Sequence, residues 1–264
     1  MHLSSLHLYP VKSCAPLAAQ SAVVEARGLR DDRRWMLVDA DGRFITGREL
    51  PRLTLLRAQP NAHGLSLDAP GMPNLQVPFP QAGTTVPVLV WKSEVAALAA
   101  GVQADAWISE FLQQPARLVH MDAGVVRPMT SAHALPGDEV SFADGFPLLL
   151  ITQAAFDGLN VRLARPVSML QFRPNLVIDD APAHAEDSWK RIRIGKLEFD
   201  VAKTCIRCVF TTVDPARGER DPGGEPLRTL IGYRRGPDGV AFGQNLIPRS
   251  LGTLRLGDTV EVLA

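Results

Sequence analysis

The sequence has few of the residues that define several large classes of protein. It contains three cysteines, Cys14, Cys205 and Cys208, and six histidines in 264 residues, with no HExxH motif. A small, odd number of cysteines does not describe the disulfide framework of a secreted domain. Glycine-rich phosphate loops of the Walker and Rossmann types are missing, and no Ser-His-Asp pattern stands out. The sequence therefore gives no support for a nucleotide-driven or hydrolytic enzyme.

Long apolar segments and net charge are also missing. The longest apolar run, residues 146–152, is far too short to span a bilayer, and no basic segment followed by an apolar core opens the chain. Lysine plus arginine and aspartate plus glutamate number 28 each, which gives no support for binding to a nucleic-acid polymer or a membrane surface. We expect a soluble, cytoplasmic protein with reduced thiols.

Turn-forming residues and short β-like segments are abundant. The 21 prolines and 21 glycines suit short strands better than long helices. Residues 2–11 and 53–58 predict strands, and Asp41-Gly42 and Gly195-Lys196 predict the turns of two hairpins. Residues 104–113 have helical spacing and predict a helix. We therefore predict a mainly β protein, a β-barrel with a few short helices.

The middle of the chain predicts a change of domain. Residues 123–145 show weak periodicity and many small or polar residues, which indicates a long loop. We place the boundary near its start and predict two domains, residues 1–121 and 122–264. A second helix is predicted over residues 154–163, with Thr152 at its N-cap.

The sequence is organised around residues 203–215. Here Cys205 and Cys208 flank Arg207, and β-branched residues predict a strand that continues through Val213. A thiol near a cation is favoured in its ionised form, which ligates metals or attacks electrophiles. Zinc would need four ligands, and a thioredoxin-type pair would lie at a helix start. Spacing alone favours two cysteines buried as small hydrophobic side chains.

Basic and polar side chains at predicted strand ends form a second pattern. They are Lys12 with Ser13, Arg33 with Arg34, Arg48, and Arg173 with Asn175. Guanidinium groups and hydroxyls suit a phosphate or a planar heterocycle. Solvated surface charge explains most single arginines, and spacing alone leaves the two interpretations open.

The order of these motifs resembles a known family. Tyr9-Pro10-Val11-Lys12-Ser13-Cys14, Asp32-Arg33-Arg34-Trp35 and Thr46-Gly47-Arg48 resemble the MOSC N-terminal β-barrel domain. Phe172-Arg173-Pro174-Asn175, Cys205-x-Arg207-Cys208, Thr211-Thr212-Val213-Asp214-Pro215 and Phe242-Gly243-Gln244-Asn245 resemble the MOSC domain. The resemblance covers nearly the whole chain, and the most similar groups are the bacterial YcbX-like proteins and the mitochondrial amidoxime reducing component.

The resemblance implies a molybdenum cofactor, a pterin dithiolene on molybdenum with one protein thiolate. That thiolate corresponds to Cys208, and a soft sulfur ligand suits a metal already held by sulfur. The cofactor-binding residues implied are Lys12, Ser13, Arg33, Thr152, Arg173, Asn175 and Thr211. Catalytic residues implied beside Cys208 are Asp214, Gln244 and Asn245, with Gln244 and Asn245 near the open face of the metal. Cys205 and Cys14 are expected to be structural.

The activity implied is reduction of N-hydroxylated compounds such as hydroxylaminopurines and amidoximes. YcbX-like proteins often carry a C-terminal ferredoxin domain, whereas this chain stops at Ala264, so we expect a separate electron-donor protein of the ferredoxin or flavoprotein type. The alternative is a non-catalytic carrier of molybdenum cofactor or sulfur, since MOSC domains also end the molybdenum cofactor sulfurases. The family is also associated with pyridoxal phosphate, because the sulfurases use this cofactor in another domain. We do not expect it here, because no Schiff-base lysine motif is seen.

Overall fold

The protein, described by a computed structural model over residues 1–81 and 83–264, is built mainly from short β-strands, as the sequence predicts. The elements of the first half are β1 (His2–Leu8), β2 (Leu17–Ala18), β3 (Ser21–Glu25), β4 (Gly28–Leu29), β5 (Trp35–Val38), β6 (Arg57–Asn61), β7 (Gly64–Asp68), β8 (Leu75–Pro78), β9 (Thr85–Val90), β10 (Ser93–Ala99), α1 (Val102–Leu112) and β11 (Arg117–His120). The elements of the second half are β12 (Leu148–Thr152), α2 (Gln153–Asn160), β13 (Leu176–Asp179), β14 (Arg191–Ile194), β15 (Leu197–Arg207), β16 (Val213–Asp214), β17 (Glu219–Arg220), α3 (Leu227–Arg234), β18 (Arg235–Gly236), β19 (Gly239–Pro248), β20 (Gly252–Arg255) and β21 (Val260–Val262). Among the described residues, none of the helices is long and apolar enough to cross a membrane.

The largest sheet takes its strands from both ends of the chain. Its order is β2-β1-β13-β12-β19-β15-β14-β21, with β18 beside β19. Strand β1 pairs antiparallel with β13, where Leu6 lies opposite Leu176. Strand β3 pairs in the same way with β20, in a smaller sheet. The N-terminal strands therefore complete the sheets of the second half of the molecule, and the domain division at residue 121 stays a prediction.

The core of this sheet follows from the period of two along its strands. In β15, Leu197, Phe199 and Val201 are buried and the residues between them are half-exposed. Successive side chains of a strand point to opposite faces, so one face of β15 packs against the core. Burying each large apolar side chain stabilises the fold by about 1.5–3 kcal/mol. The two-residue hairpin predicted at Gly195-Lys196 is confirmed by the pairing of β14 with β15.

The first half adds two smaller sheets and a helix. Their strand orders are β5-β11-β10-β9 and β6-β7-β8. The predicted helix is confirmed as α1, whose residues Trp107, Ile108 and Phe111 are buried in a core shared with these strands. The start of β5 and the turn that precedes it hydrogen-bond to the backbone just after β1, where Trp35 lies opposite Val11.

Two predicted strands each have one wrong end, and local chemistry explains both. Residues 53–58 begin in a 3₁₀ helix, Pro51–Leu55, since proline at the first helical position fixes φ and lacks an N–H donor. The cysteine strand ends at Arg207, and a 3₁₀ turn covers Val209–Thr212. In that turn the hydroxyl of Thr211 donates to the carbonyl of Cys208 at 2.9 Å, a local bond that competes with strand pairing.

The connecting segment (residues 122–145) has no regular helix or strand, as predicted, and buried arginines hold it in place. Arg27 donates from Nη2 to the carbonyl of Ala123 at 3.0 Å. Arg249 grips the carboxylate of Asp138 through both terminal nitrogens, at 2.6 and 3.1 Å. Charge-assisted bonds of this kind are stronger than neutral ones, and they order a segment that backbone pairing does not.

Candidate functional site

A cavity of about 240 Å³ lies where the two halves of the chain meet. It is lined by segments from the first half, from the end of the connecting segment and from β15 with the turn that follows. Eight of the eleven predicted site residues lie on its wall: Lys12, Ser13, Arg33, Arg173, Asn175, Cys208, Thr211 and Asn245. The structure thus brings together most of the residues that the motifs single out.

Three residues on the cavity wall have strained backbone. Ser13, Arg33 and Arg173 have φ values of 67°, 50° and 57°, in the left-handed region. For residues other than glycine this conformation costs about 1–2 kcal/mol each, and such strain tends to collect at functional sites. All three of these residues lie on the wall of the cavity.

Arg33 is fixed by the amide of Asn175. Its Nη1 donates to Asn175 Oδ1 at 2.9 Å, and its guanidinium lies 4.4 Å from the centre of the Tyr9 ring. Asn175 is fully buried and also donates to the carbonyl of His7 at 3.1 Å. The Asn175 amide therefore joins β1 to Arg33, and its place in the site is to orient that arginine.

Arg173 is a half-buried cation with one buried, unused donor. Its guanidinium lies 4.1 Å from the centre of the Tyr9 ring and 5.4 Å from that of Phe210. Nη1 donates to the carbonyl of Cys14 at 2.7 Å, whereas Nη2 is buried without a partner. Burial lowers the pKa of Arg173 to about 10, so the group is still charged at neutral pH.

Cys208 is exposed in the cavity, and the cation that contacts it is Arg48. Arg48 Nε donates to Cys208 Sγ at 3.4 Å, and the same guanidinium lies 4.8 Å from the centre of the Trp91 ring. Arg207, the neighbour in sequence, instead donates to the carbonyl of Phe242 at 2.7 Å. The thiol is therefore open to a ligand on one side and bound by a guanidinium on another.

Asp144 accepts hydrogen bonds from two cations of the cavity, Lys12 and Arg48. Its carboxylate accepts bonds from Lys12 Nζ, from Arg48 Nη2 at 2.9 Å and from Trp91 Nε1 at 3.2 Å. The packing around Asp144 tends to raise its pKa, but the charges of Lys12 and Arg48 outweigh that effect and hold the pKa well below its ordinary value. Burial lowers the pKa of Lys12, and Asp144 opposes that shift. Asp144 is therefore an anion throughout the neutral range.

The other two cysteines are less available than Cys208. Cys14 is fully buried, and burial raises its pKa to about 12. Cys205 is half-buried on the cavity wall, and burial raises its pKa as well. A raised pKa keeps a thiol protonated and poor as a ligand.

Three of the predicted site residues lie outside the cavity. Thr152 stands at the N-cap position of α2, yet its hydroxyl donates to buried Glu186 at 2.8 Å instead of capping the helix. Gln244 precedes Asn245 on β19, points to the opposite face of the strand and donates to Asp187 at 2.8 Å. Asp214 follows the 3₁₀ turn and lines a separate depression.

The site residues that the resemblance implies do not include Arg48 or Asp144, although both lie on the cavity wall. Arg48 carried a signal, because it ends one of the motifs that resemble the family and follows a predicted hairpin strand. Asp144 carried none, because it lies in a segment without periodicity and is not part of any motif. Its position becomes visible only when Lys12 and Arg48 are brought beside it by the fold.

The donors on the cavity wall fit an anionic, acceptor-rich group that carries a metal. Nη2 of Arg173 and Nη2 of Arg207 are both buried without a hydrogen-bond partner. Guanidinium donors of this kind suit phosphate and planar heterocycles. The accessible sulfur of Cys208 supplies the one soft ligand that a metal in a sulfur-rich complex requires.

Comparison with known proteins assigns the chain to a family. Residues 1–115 match the family model described as the MOSC N-terminal beta barrel domain, and residues 137–261 match the model described as the MOSC domain. The mitochondrial amidoxime-reducing component 1 of Mus musculus is 36% identical over 281 residues, covering 99% of this chain and 82% of the relative. For component 1 of Homo sapiens the identity is 34% over 279 residues, covering 99% and 82%. The chain belongs to this family of MOSC-domain amidoxime-reducing components.

A solved structure gives a more distant likeness. The YUAD protein from Bacillus subtilis aligns with 98% of this chain and 93% of its own, at 9% identity and a TM-score of 0.48. This similarity is too low to support a conclusion about the site.

The relatives contradict the expected cytoplasmic location. The similar proteins from Mus musculus, Homo sapiens and Xenopus laevis are all named as mitochondrial components. The expectation is wrong because it rested on missing export and membrane signals, and a missing signal does not specify a compartment.

Proposed function

We propose that this chain is a molybdenum-dependent oxidoreductase that reduces N-hydroxylated compounds, such as hydroxylaminopurines and amidoximes. The observation that carries the proposal is an accessible thiol, Cys208, in a cavity walled by arginines with unused donors. Membership of the amidoxime-reducing family supports the same reaction. The half-reaction consumes two electrons and two protons and converts N–OH to N–H and water.

The cavity residues divide into those that would hold the metal and those that would hold the pterin and its phosphate. Cys208 would supply the protein thiolate to molybdenum. Arg173 and Arg207 would use their free Nη2 donors on the acceptor-rich part of the cofactor. Ser13 and Arg33 complete that wall. When bound, the molybdenum cofactor supplies the two electrons that the N–OH group takes up.

The mouth of the cavity would receive the substrate. Asp144 is about half exposed there, with 53% of its side chain accessible, and is an anion. Trp91 lies beside it with an exposed ring. An acceptor and an apolar face together can orient a flat substrate that carries N–H donors. Electrons would come from a separate donor protein of the ferredoxin or flavoprotein type.

The test combines metal analysis with turnover. The full-length chain is made in a host that synthesises the cofactor, molybdenum is measured per chain, and reduction of 6-hydroxylaminopurine is followed with reduced methyl viologen as the donor. We expect Cys208→Ala to lose most of the molybdenum and at least about 100-fold in rate, since the metal loses its only protein ligand. Cys205→Ala is the matched control and should keep the metal.

Two outcomes would overturn the proposal. If Cys208→Ala and the wild type behave alike, the thiol is not the metal ligand and the proposed site is wrong. If the wild-type protein binds molybdenum but shows no turnover with any electron donor, the chain is the non-catalytic carrier of cofactor or sulfur.

A further inference from the structure

Two buried cations, Arg127 and Lys12, donate hydrogen bonds to the backbone of one short stretch of the connecting segment. Arg127 Nη1 donates to the carbonyls of Ser141 and Ala143, at 2.8 and 2.6 Å, and its Nη2 donates to the carbonyl of Asp144 at 3.2 Å. Lys12 Nζ donates to the carbonyl between them, that of Phe142, at 2.8 Å. Four successive carbonyls are thus bound in turn by Arg127 and Lys12. We call residues 141–144 the clamped stretch.

Arg127 has no carboxylate partner among residues 1–81 and 83–264, although it is only 6% exposed. A buried guanidinium is costly unless its donors are used. Here backbone carbonyls accept from both terminal nitrogens, whereas Nε is buried without a partner. One planar group reaches three carbonyl oxygens because its terminal nitrogens diverge in a fixed fork, which a lysine ammonium cannot reproduce. Arg127 therefore sets the path of the backbone and does not neutralise a charge.

The path of the clamped stretch decides where the Asp144 carboxylate lies. The carboxylate meets Lys12 and accepts from Arg48 Nη2 at 2.9 Å. Arg48 in turn donates from Nε to Cys208 Sγ at 3.4 Å. A continuous line of polar contacts thus runs from Arg127, which is outside the cavity wall, to the sulfur inside it.

We propose that Arg127 is a positioning residue for the Cys208 cavity, acting through Asp144 and Arg48. It holds the clamped stretch so that Asp144 keeps the Arg48 guanidinium against the Cys208 sulfur. The effect on catalysis rests on the proposed reductase function, whereas the effect on the clamped stretch does not.

The experiment compares four variants of the full-length chain. Arg127→Met removes the donors at similar length, Asp144→Asn removes the charge at the far end, and the double variant combines them. Arg249→Met is the matched control, because Arg249 also anchors the connecting segment, at Asp138, but does not touch residues 141–144. Hydrogen exchange of the amides of residues 140–144 and the values of kcat and KM are measured for each.

We expect Arg127→Met to speed exchange in the clamped stretch by about tenfold or more, and Arg249→Met to leave it within about twofold of the wild type. Arg127→Met and Asp144→Asn should each lower kcat/KM by about tenfold. The double variant should fall no further than the worse single variant, because residues that act through one contact are not additive. Should Arg127→Met fail to fold, Arg127→Lys takes its place in every comparison.

Unchanged exchange at residues 140–144 in the Arg127 variants would overturn the proposal, whatever the activity. Losses in kcat/KM that add up in the double variant would also overturn it, since Arg127 would then not act through Asp144. If the wild type reduces no N-hydroxylated compound, the proposed function fails. The hydrogen-exchange data still show whether Arg127 holds residues 141–144 in place.

Discussion

At the scale of single residues, Arg173 is a cation of the cavity wall that combines two aromatic contacts with an unused donor. The rings of Tyr9 and Phe210 pack on its guanidinium, and one of its terminal nitrogens binds the carbonyl of Cys14. Its other terminal nitrogen is buried and unused. A charged donor in surroundings of low polarity makes a strong bond to an anion, so Arg173 is the residue on which retention of an anionic cofactor should depend most.

Replacing Arg173 with lysine tests this dependence. Arg173→Lys keeps the charge but loses the planar fork that stacks on Tyr9 and carries the unused Nη2 donor. We expect molybdenum per chain to fall by roughly tenfold, because losing a hydrogen bond to a charged group costs about 1.5–3 kcal/mol. Metal analysis measures the loss, and thermal unfolding should show that the fold remains.

Arg191→Lys is the control, because Arg191 is exposed and pairs with Asp200 on the surface of β14. Equal molybdenum contents in the two variants would show that Arg173 does not hold the cofactor.

Single residues also show how far the sequence can be read. The motifs single out Cys208, Arg33 and Arg173, and the structure places all three on the wall of one cavity. The contact between Cys208 and Arg48 is not readable, since 160 residues separate the two in sequence. Arg207 is adjacent to the cysteine, but its side chain turns to backbone carbonyls.

At the scale of elements, the 3₁₀ turn over Val209–Thr212 decides how the thiol is presented. Cys208 stands at its N-cap, with φ of −126°, as the last extended residue after β15. The β-branched residues after Cys208 predict that the strand continues. It ends instead, because the hydroxyls of Thr211 and Thr212 donate to the carbonyls three residues earlier. Propensity cannot foresee this outcome, because the same threonines also suit a strand.

Strand β11 carries a histidine whose ionisation should be visible in stability. His120 lies opposite Trp35 on β5, with ring centres 4.4 Å apart, and 5.3 Å from the ring centre of Phe79. Burial lowers the pKa of His120 to about 4. Between pH 6.5 and 4 the unfolded chain therefore binds a proton that the folded chain does not, and stability falls as the pH falls.

We expect His120 to reduce the free energy of unfolding by about 2 kcal/mol between pH 7 and pH 5. His120→Phe keeps an aromatic ring in the cluster and removes the titration, so its stability should change less over the same range. Urea unfolding at the two pH values measures both slopes. His63→Gln, at an exposed position, is the control. Equal slopes for the wild type and His120→Phe would contradict the assignment.

At the scale of the whole molecule, strands β1 and β3 from the start of the chain pair with strands of the second half. Leu3 and Leu6 of β1 are buried in the same core as Phe199 and Leu246, far along the sequence. The order of the motifs places two family domains along the chain. It does not reveal that β1 packs in the core of the second half, because sheet pairing between distant strands leaves no local pattern in the sequence. The division into two domains, residues 1–121 and 122–264, thus stays a prediction.

Cutting the chain at residue 121 tests whether the second half can stand alone. The fragment 122–264 would lack β1 and β3, and would expose the pairing edges of β13 and β20. We expect no cooperative thermal transition for this fragment by circular dichroism, because its core loses the buried face of β1. Mixing it with fragment 1–121 should restore a transition. A sharp transition for fragment 122–264 alone would show that the halves fold independently.

The spread of the cavity wall from Lys12 to Cys208 also fixes an order of events during synthesis. The ribosome delivers Lys12, Arg33 and Arg48 early, and Arg173, Arg207 and Cys208 only much later in the sequence. A nascent polypeptide that ends before Arg173 therefore lacks the sulfur and the two arginines with unused donors. The complete wall exists only after translation has passed Asn245.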